Sequence, residues 1–165
     1  MRTWPIVTLA VALTCGAAAA PDDFGRPIDA ALDAFHEAAS RADEGSYLGL
    51  FAPEGVFIGT APGERWTVEE FRAFVRPYFS QGRGWTYTPR DGERHIGVSE
   101  DGAFAWFDEV LDNAKYGECR GSGVLRRIDG AWRIVQYELV IPIPNEIAPE
   151  VVEMIRARSG VSPDP

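Results

Sequence analysis

Between residues 56 and 145, aromatic and β-branched stretches alternate with polar positions and are punctuated by Asp-Gly pairs at 91–92, 101–102 and 129–130. Successive side chains of a strand point to opposite faces, so a sheet with one buried face produces this alternation. Asp-Gly between two such runs suits a tight turn, because glycine adopts φ > 0 without steric cost. The pattern predicts strands near 85–98, 103–112, 116–128 and 132–141, the first bulged or bent at Asp91-Gly92. Pro142 and Pro144 close the last of them. A further short strand is predicted at 56–59, followed by a loop at 61–65.

Upstream the period changes. Ile28, Leu32, Phe35, Ala39 and Ala42 recur at spacings of three and four, which predicts an amphipathic helix, with Gly45 suited to the position just past its end. A short helical turn is predicted over 47–51, stopped by Pro53. Thr67-Val68-Glu69-Glu70 reads as a capping box. The helix behind it would bury Val68, Phe71, Val75 and Tyr78 or Phe79, with a kink at Pro77. Pro149 suits the first turn of a short C-terminal helix that carries Val151, Val152 and Ile155 on one side. Helices followed by a hairpin meander point to an α+β fold, in which one strongly curved, mostly antiparallel sheet wraps a few helices and encloses a pocket.

The first twenty residues read as a cleaved signal peptide. Arg2 supplies a positive start, 6–14 is an apolar core too short to span a membrane, and the alanines at 17–20 suit cleavage near Ala19 or Ala20. This implies a secreted or periplasmic protein with no stable membrane span. Cys15 is a poor lipidation site, because Thr14 before it is too large. Residues 21–27 read as a linker, 28–158 as one domain and 159–165 as a disordered tail. Loss of the leader leaves about 145 residues, enough for one core, and takes the formal charge from -9 to about -10. So acidic a chain repels phosphate backbones, which excludes nucleic acid as a natural partner. Cys119 would be the one remaining thiol, so no internal disulfide forms and stability rests on packing.

Catalytic chemistry is sparse. His36 and His95 are the only histidines, and no metal-binding spacing is present. His36 is predicted at a helix edge or the surface, and His95 as a structural or exposed strand residue. Ser122, within Gly121-Ser122-Gly123, lacks the strand-to-helix elbow of a nucleophilic serine. Cys119 reads as a buried small hydrophobe, with Arg120 on the opposite strand face. The glycines around Ser122 suit close packing or sheet bending. No glycine-rich phosphate loop follows a strand, so no cofactor is indicated.

The best enzymatic signal is a carboxylate. One face of the 103–111 strand reads Ala103, Ala105, Phe107, Glu109, Leu111, and the other Phe104, Trp106, Asp108, Val110. Glu109 therefore falls on an apolar face. There it needs a partner, Arg94 or Arg120, or else burial raises its pKa and suits it to general acid–base work. Asp108 is second choice, because a register slip of one residue would exchange the two. Trp66, Trp85, Tyr87, Trp106, Tyr116, Trp132 and Tyr137 exceed routine core filling, and their polar tips suit a pocket wall. Trp132 could instead lie on the outer sheet face in a dimer interface. Arg65, in the 63–66 loop, could meet an anionic group at the pocket mouth.

Phe57-Ile58-Gly59-Thr60 with Glu64-Arg65-Trp66, Ala105-Trp106-Phe107 with Glu109, Cys119-Arg120-Gly121-Ser122-Gly123-Val124-Leu125 and Trp132-Arg133-Ile134-Val135-Gln136-Tyr137 resemble the SnoaL-like proteins of the NTF2-like superfamily. The resemblance implies a cone with an apolar pocket between helices and concave sheet, and often a homodimer. It leaves function open, since that fold carries isomerases, dehydratases, cyclases, binding modules and dimerisation domains. Together the readings give catalytic candidates Glu109, Asp108 and Tyr116, and ligand-binding candidates Trp66, Tyr78, Trp85, Trp106, Cys119, Gln136 and Tyr137. The leading functional reading is binding of a small, partly apolar molecule. One alternative is a cofactor-independent isomerase, dehydratase or cyclase with a carboxylate base and Tyr116 or Tyr137 as hydrogen-bond donor to an oxyanion. The other is a dimerisation or accessory module whose pocket is simply core.

Overall fold

A computed structural model describes residues 22–159, with side chains described over 25–158. The expected signal peptide with Cys15, and residues 160–165 of the expected tail, lie outside the described residues. Six strands form one curled, unclosed sheet in the order β2-β1-β6-β5-β4-β3. They are β1 (Phe51–Ile58), β2 (Arg65–Thr67), β3 (Thr88–Val98), β4 (Phe104–Asn113), β5 (Gly117–Ile128) and β6 (Ala131–Val140). Every pairing is antiparallel except β1 with β6. Helices α1 (Asp22–Ser40), α2 (Glu44–Gly49) and α3 (Val68–Phe79) pack on the sheet, and α4 (Ala148–Ser159) follows it. Among the described residues, no helix is long and apolar enough to cross a membrane.

The meander follows the predicted alternation. In β4, Ala105, Phe107, Glu109 and Leu111 are buried, while Phe104, Trp106 and Asp108 are exposed. The pair Asp129-Gly130 closes the β5–β6 hairpin with both residues at positive φ, 49° and 83°. At Asp91-Gly92 the chain bulges instead: β3 changes register against β4 between Pro89 and Arg94, and Gly92 has φ 77°. The bulge brings Arg94 opposite Glu109.

Several boundaries differ from expectation. Residues 22–27 of the segment expected as a linker are the first part of α1, and Pro27 lies inside the helix, where it removes one backbone donor. Phe51, expected at the end of a helical turn, begins β1, which is longer than expected at 56–59; Pro53 falls in the irregular stretch where β1 shifts register against β6. β2 begins at Arg65, the last residue of the loop expected at 61–65. Trp132, considered for an outer-face interface, is buried in the core with Ile134 and Leu125. On α4, Val152, Met154 and Ile155 are exposed.

The capping box at the start of α3 is complete. The Thr67 N–H donates to Glu70 Oε2 at 2.8 Å and the Glu70 N–H donates to Thr67 Oγ1 at 3.3 Å. It satisfies two donors the helix cannot, and it fixes where Phe71, Val75 and Phe79 enter the core. Thr67→Ala is expected to lower stability by about 1 kcal/mol, read as a shift in urea midpoint at unchanged slope. An unchanged midpoint would show that the cap contributes nothing.

Candidate functional site

The buried face of α1 is wider than its apolar residues alone. Ile28, Leu32, Phe35 and Ala39 face the sheet, and His36, eight residues after Ile28, falls on the same side. His36 is 8% exposed, not at the surface or helix edge as expected. A polar stripe, Asp29, Asp33 and His36, runs beside the apolar one at spacings of four and three. It meets β3 and β4 at Arg94 and Glu109.

Glu109 is fully buried and its carboxylate is saturated. Oε1 lies 2.7 Å from His36 Nε2 and accepts the Tyr137 hydroxyl at 3.1 Å, and Oε2 accepts Arg94 Nε at 2.9 Å. Of the two arginines expected as partners, Arg94 is the one. Arg120 pairs with Val110 in register, on the opposite strand face. Arg94 Nη1 also donates to Asp33 Oδ1 at 2.9 Å and Asp29 Oδ1 at 3.1 Å, while its Nη2 is buried without a partner among the described residues. Gly121 sits opposite Glu109 on β5, and a Cβ there would run into Tyr137 Oη and Glu109 Oε1. Glycine at 121 therefore makes room for the Tyr137–Glu109 hydrogen bond, a packing role of the kind expected of the glycines around Ser122.

Burial pushes the Glu109 carboxyl upward, but the hydrogen bonds and charges of His36 and Arg94 outweigh it and hold the group below the ordinary carboxylate range. Glu109 is thus an ionised anchor rather than the raised, proton-accepting acid that burial alone would produce. Burial and the neighbouring Glu109 keep Tyr137 far above the usual phenol range, so its proton stays on and is committed to the carboxylate. Nε2 is the ring nitrogen that faces Glu109, so Nδ1 is the one turned away from the carboxylate. Among the described residues, Nδ1 makes no hydrogen bond.

A cavity of about 660 Å³ opens between α3, the residues around Trp85 and the β4–β5 turn. Its wall is a run of rings: Trp66 stacks on Phe74 at 4.7 Å and on Phe71 at 5.7 Å, with Tyr78 and Trp85 beyond them. A second cavity, about 20 Å³, shares Phe57, Trp85, Tyr87 and Leu139 with the first and reaches His36 and Tyr137. The same four residues thus line both spaces, and the histidine lines the smaller one, with Glu109 and Arg94 behind it. Tyr87 lines both spaces, and burial pushes its hydroxyl up to about 12, so it is a proton donor at neutral pH.

Of the predicted ligand-binding residues, Trp66, Tyr78 and Trp85 line the large cavity and Tyr137 lines the small one. Tyr116 also lines the large cavity, at its rim. Asp108 and Trp106 lie on the other sheet face; Trp106 is 55% exposed, with its ring over Gly97. Gln136 pairs with Val56 and Val124 and alternates away from Tyr137, so it too faces outward. Cys119 is buried against Leu111 in the core and lines neither cavity; burial pushes its thiol up. Arg65 is exposed and does not line the cavity, whereas its neighbours Glu64 and Trp66 do. Among the described residues, no group of three or more His, Cys, Asp or Glu side chains could hold a metal ion.

Solved structures with this fold diverge widely in sequence. An NTF2-like protein of unknown function from Pseudomonas putida KT2440 is 11% identical, covers 76% of this chain and 91% of its own, and superposes with a TM-score of 0.61. A candidate dehydratase of the NTF2-like family from Streptomyces avermitilis is 18% identical over 76% of this chain and all (100%) of its own, with a TM-score of 0.60. A candidate scytalone dehydratase from Novosphingobium aromaticivorans DSM 12444 is 14% identical over 74% of this chain and 89% of its own, with a TM-score of 0.59. No curated protein matches the chain. The model of the SnoaL-like domain family matches residues 28–144, from the first core residue of α1 to just past the sheet, and the chain therefore belongs to the SnoaL-like domain family.

Proposed function

We propose that this protein binds a small, partly apolar ring compound in the aromatic cavity and catalyses cofactor-independent proton transfer on it, with His36 as base. The observation that carries the reading is the His36–Glu109 pair, 2.7 Å apart, with His36 lining the small space that shares four wall residues with the aromatic cavity. The Nδ1 lone pair takes a proton from a carbon next to a carbonyl, whose oxygen receives the electron pair, and Glu109 stabilises the imidazolium that forms. Arg94 keeps Glu109 ionised, and Tyr87 supplies a hydroxyl toward the developing oxyanion. Enolisation, double-bond isomerisation and loss of water all begin with this step. Two of the structural neighbours carry dehydratase names, which agrees with the last of these outcomes. The apolar leader over 6–14 supports export of the mature domain.

Deuterium wash-in tests the reading without knowledge of the natural substrate. Bicyclic ketones such as 2-tetralone and 1-indanone are incubated with the protein in heavy water and followed by proton NMR. Saturable, protein-dependent exchange at the carbon beside the carbonyl is the expected result. Binding without exchange would leave the protein a carrier, and neither binding nor exchange would remove the cavity from its function.

A further inference from the structure

The rim of the large cavity carries the chain's sole lysine; every other Lys-or-Arg position is arginine. Lys115 lines the cavity at the β4–β5 turn. That turn is tightly held. Asn113 Oδ1 accepts the backbone N–H groups of Lys115 and Tyr116, each at 2.9 Å, and Asn113 Nδ2 donates to the Thr86 carbonyl at 2.9 Å. The lysine folds back over its neighbour. Its Nζ donates to Tyr116 Oη at 2.9 Å and lies 4.7 Å from the ring centroid. Because the tyrosine oxygen accepts from the ammonium, its own O–H is free to donate onward, so two donors converge at one end of an apolar space.

Arg41, Arg72, Arg76, Arg90, Arg94, Arg126 and Arg156 all meet carboxylates, whereas Lys115 has no acidic partner within ion-pair distance among the described residues. The other charged side chain lining the cavity, Glu64, is engaged by the Ala61 N–H at 3.0 Å. We propose that Lys115 and Tyr116 form an anion-recognition pair at the cavity rim. The ligand is then a ring compound bearing one acidic group, a carboxylate or sulfonate, whose apolar body lies along Trp66 and Phe74. The inference rests on the cavity reading above and adds the charge of the ligand to it.

Two fluorescent probes separate the inference from that reading. 1-Anilinonaphthalene-8-sulfonate carries an anion, and N-phenyl-1-naphthylamine is the same ring system without it. Wild-type protein is expected to bind both and to favour the sulfonate. Lys115→Met should weaken the sulfonate by about five- to tenfold and leave the neutral probe within about twofold, which marks an intact cavity. Arg120→Gln, on the outer sheet face, should change neither. If Lys115→Met leaves the ratio of the two affinities unchanged, or Arg120→Gln lowers it equally, the anion site is overturned while the cavity reading stands. If neither probe binds wild-type protein, both are overturned.

Discussion

Replacing Arg94 with methionine is expected to destabilise the protein by about 3–5 kcal/mol at neutral pH, the range for removing one partner of a buried ion pair. The corresponding fall in melting temperature is roughly 10–15 °C for a domain of this size. Arg94 is 11% exposed and Glu109 fully buried, so solvent cannot substitute for the lost guanidinium. Methionine preserves the aliphatic stem, which confines the loss to charge and hydrogen bonds. Glu109→Gln should cost less, about 1–2 kcal/mol, because the amide oxygen still accepts from Tyr137 and Arg94 retains Asp29 and Asp33. The two substitutions break the same contact, and their inequality measures which charge depends on the other.

The loss should also depend on pH. Glu109 is held below its ordinary value of 4.5 in the folded protein. Such a group contributes stability above its unfolded pKa and loses that contribution as pH falls through the lower folded one. Without Arg94 the folded carboxyl titrates higher. The gap between wild type and Arg94→Met is therefore full at pH 7 and narrows below about 4.5. Denaturant unfolding at pH 7 and pH 4 checks this. A small difference that is equal at both would mean Glu109 is not an ion in the native state.

The strand half of this site is legible in the sequence and the helix half is not, for physical reasons. A strand has period two, so one carboxylate at Glu109 in an apolar row is visible without knowledge of the fold. On α1 the site residues Asp29, Asp33 and His36 form a stripe beside the apolar one. Reading only apolar positions assigns His36 to the edge, although its spacing of eight from Ile28 and four from Leu32 puts it on the buried face. A test for polar residues in phase with the apolar stripe would have found it. That Arg94 is the partner of Glu109 depends on the bulge at Asp91-Gly92, which sets the register of β3 against β4. Phe51 departs from its local pattern for a different reason. Its local pattern continues a helical turn, and its strand character comes from parallel pairing with Ile134, more than eighty residues away in sequence. Trp106 shows the limit of composition: an aromatic in a pocket-forming sheet can lie on either face, and only the register decides.

His36→Gln is expected to reduce proton-transfer activity by about 10²–10⁴-fold, the usual contribution of a general base. Glutamine is near the volume of histidine, and its amide N–H₂ can still donate to Glu109, so the buried carboxylate keeps its partners and stability should fall by no more than about 1–2 kcal/mol. What disappears is the lone pair at the Nδ1 position. Affinity for a neutral ring compound is set by the rings around Trp66 and Phe74, so N-phenyl-1-naphthylamine should bind the variant as it binds wild type. Glu109→Gln should lower the rate less, about 10–100-fold, because it removes the charge that stabilises the imidazolium but leaves the base. The double variant should then be no slower than His36→Gln alone, since a carboxylate that acts through the histidine has nothing to act on once the histidine is gone. Deuterium exchange in the ketone panel measures all three. If Glu109→Gln is the slower single variant and His36→Gln retains activity, the carboxylate is itself the base and the histidine only holds it. Additive losses would mean that the two residues serve separate steps.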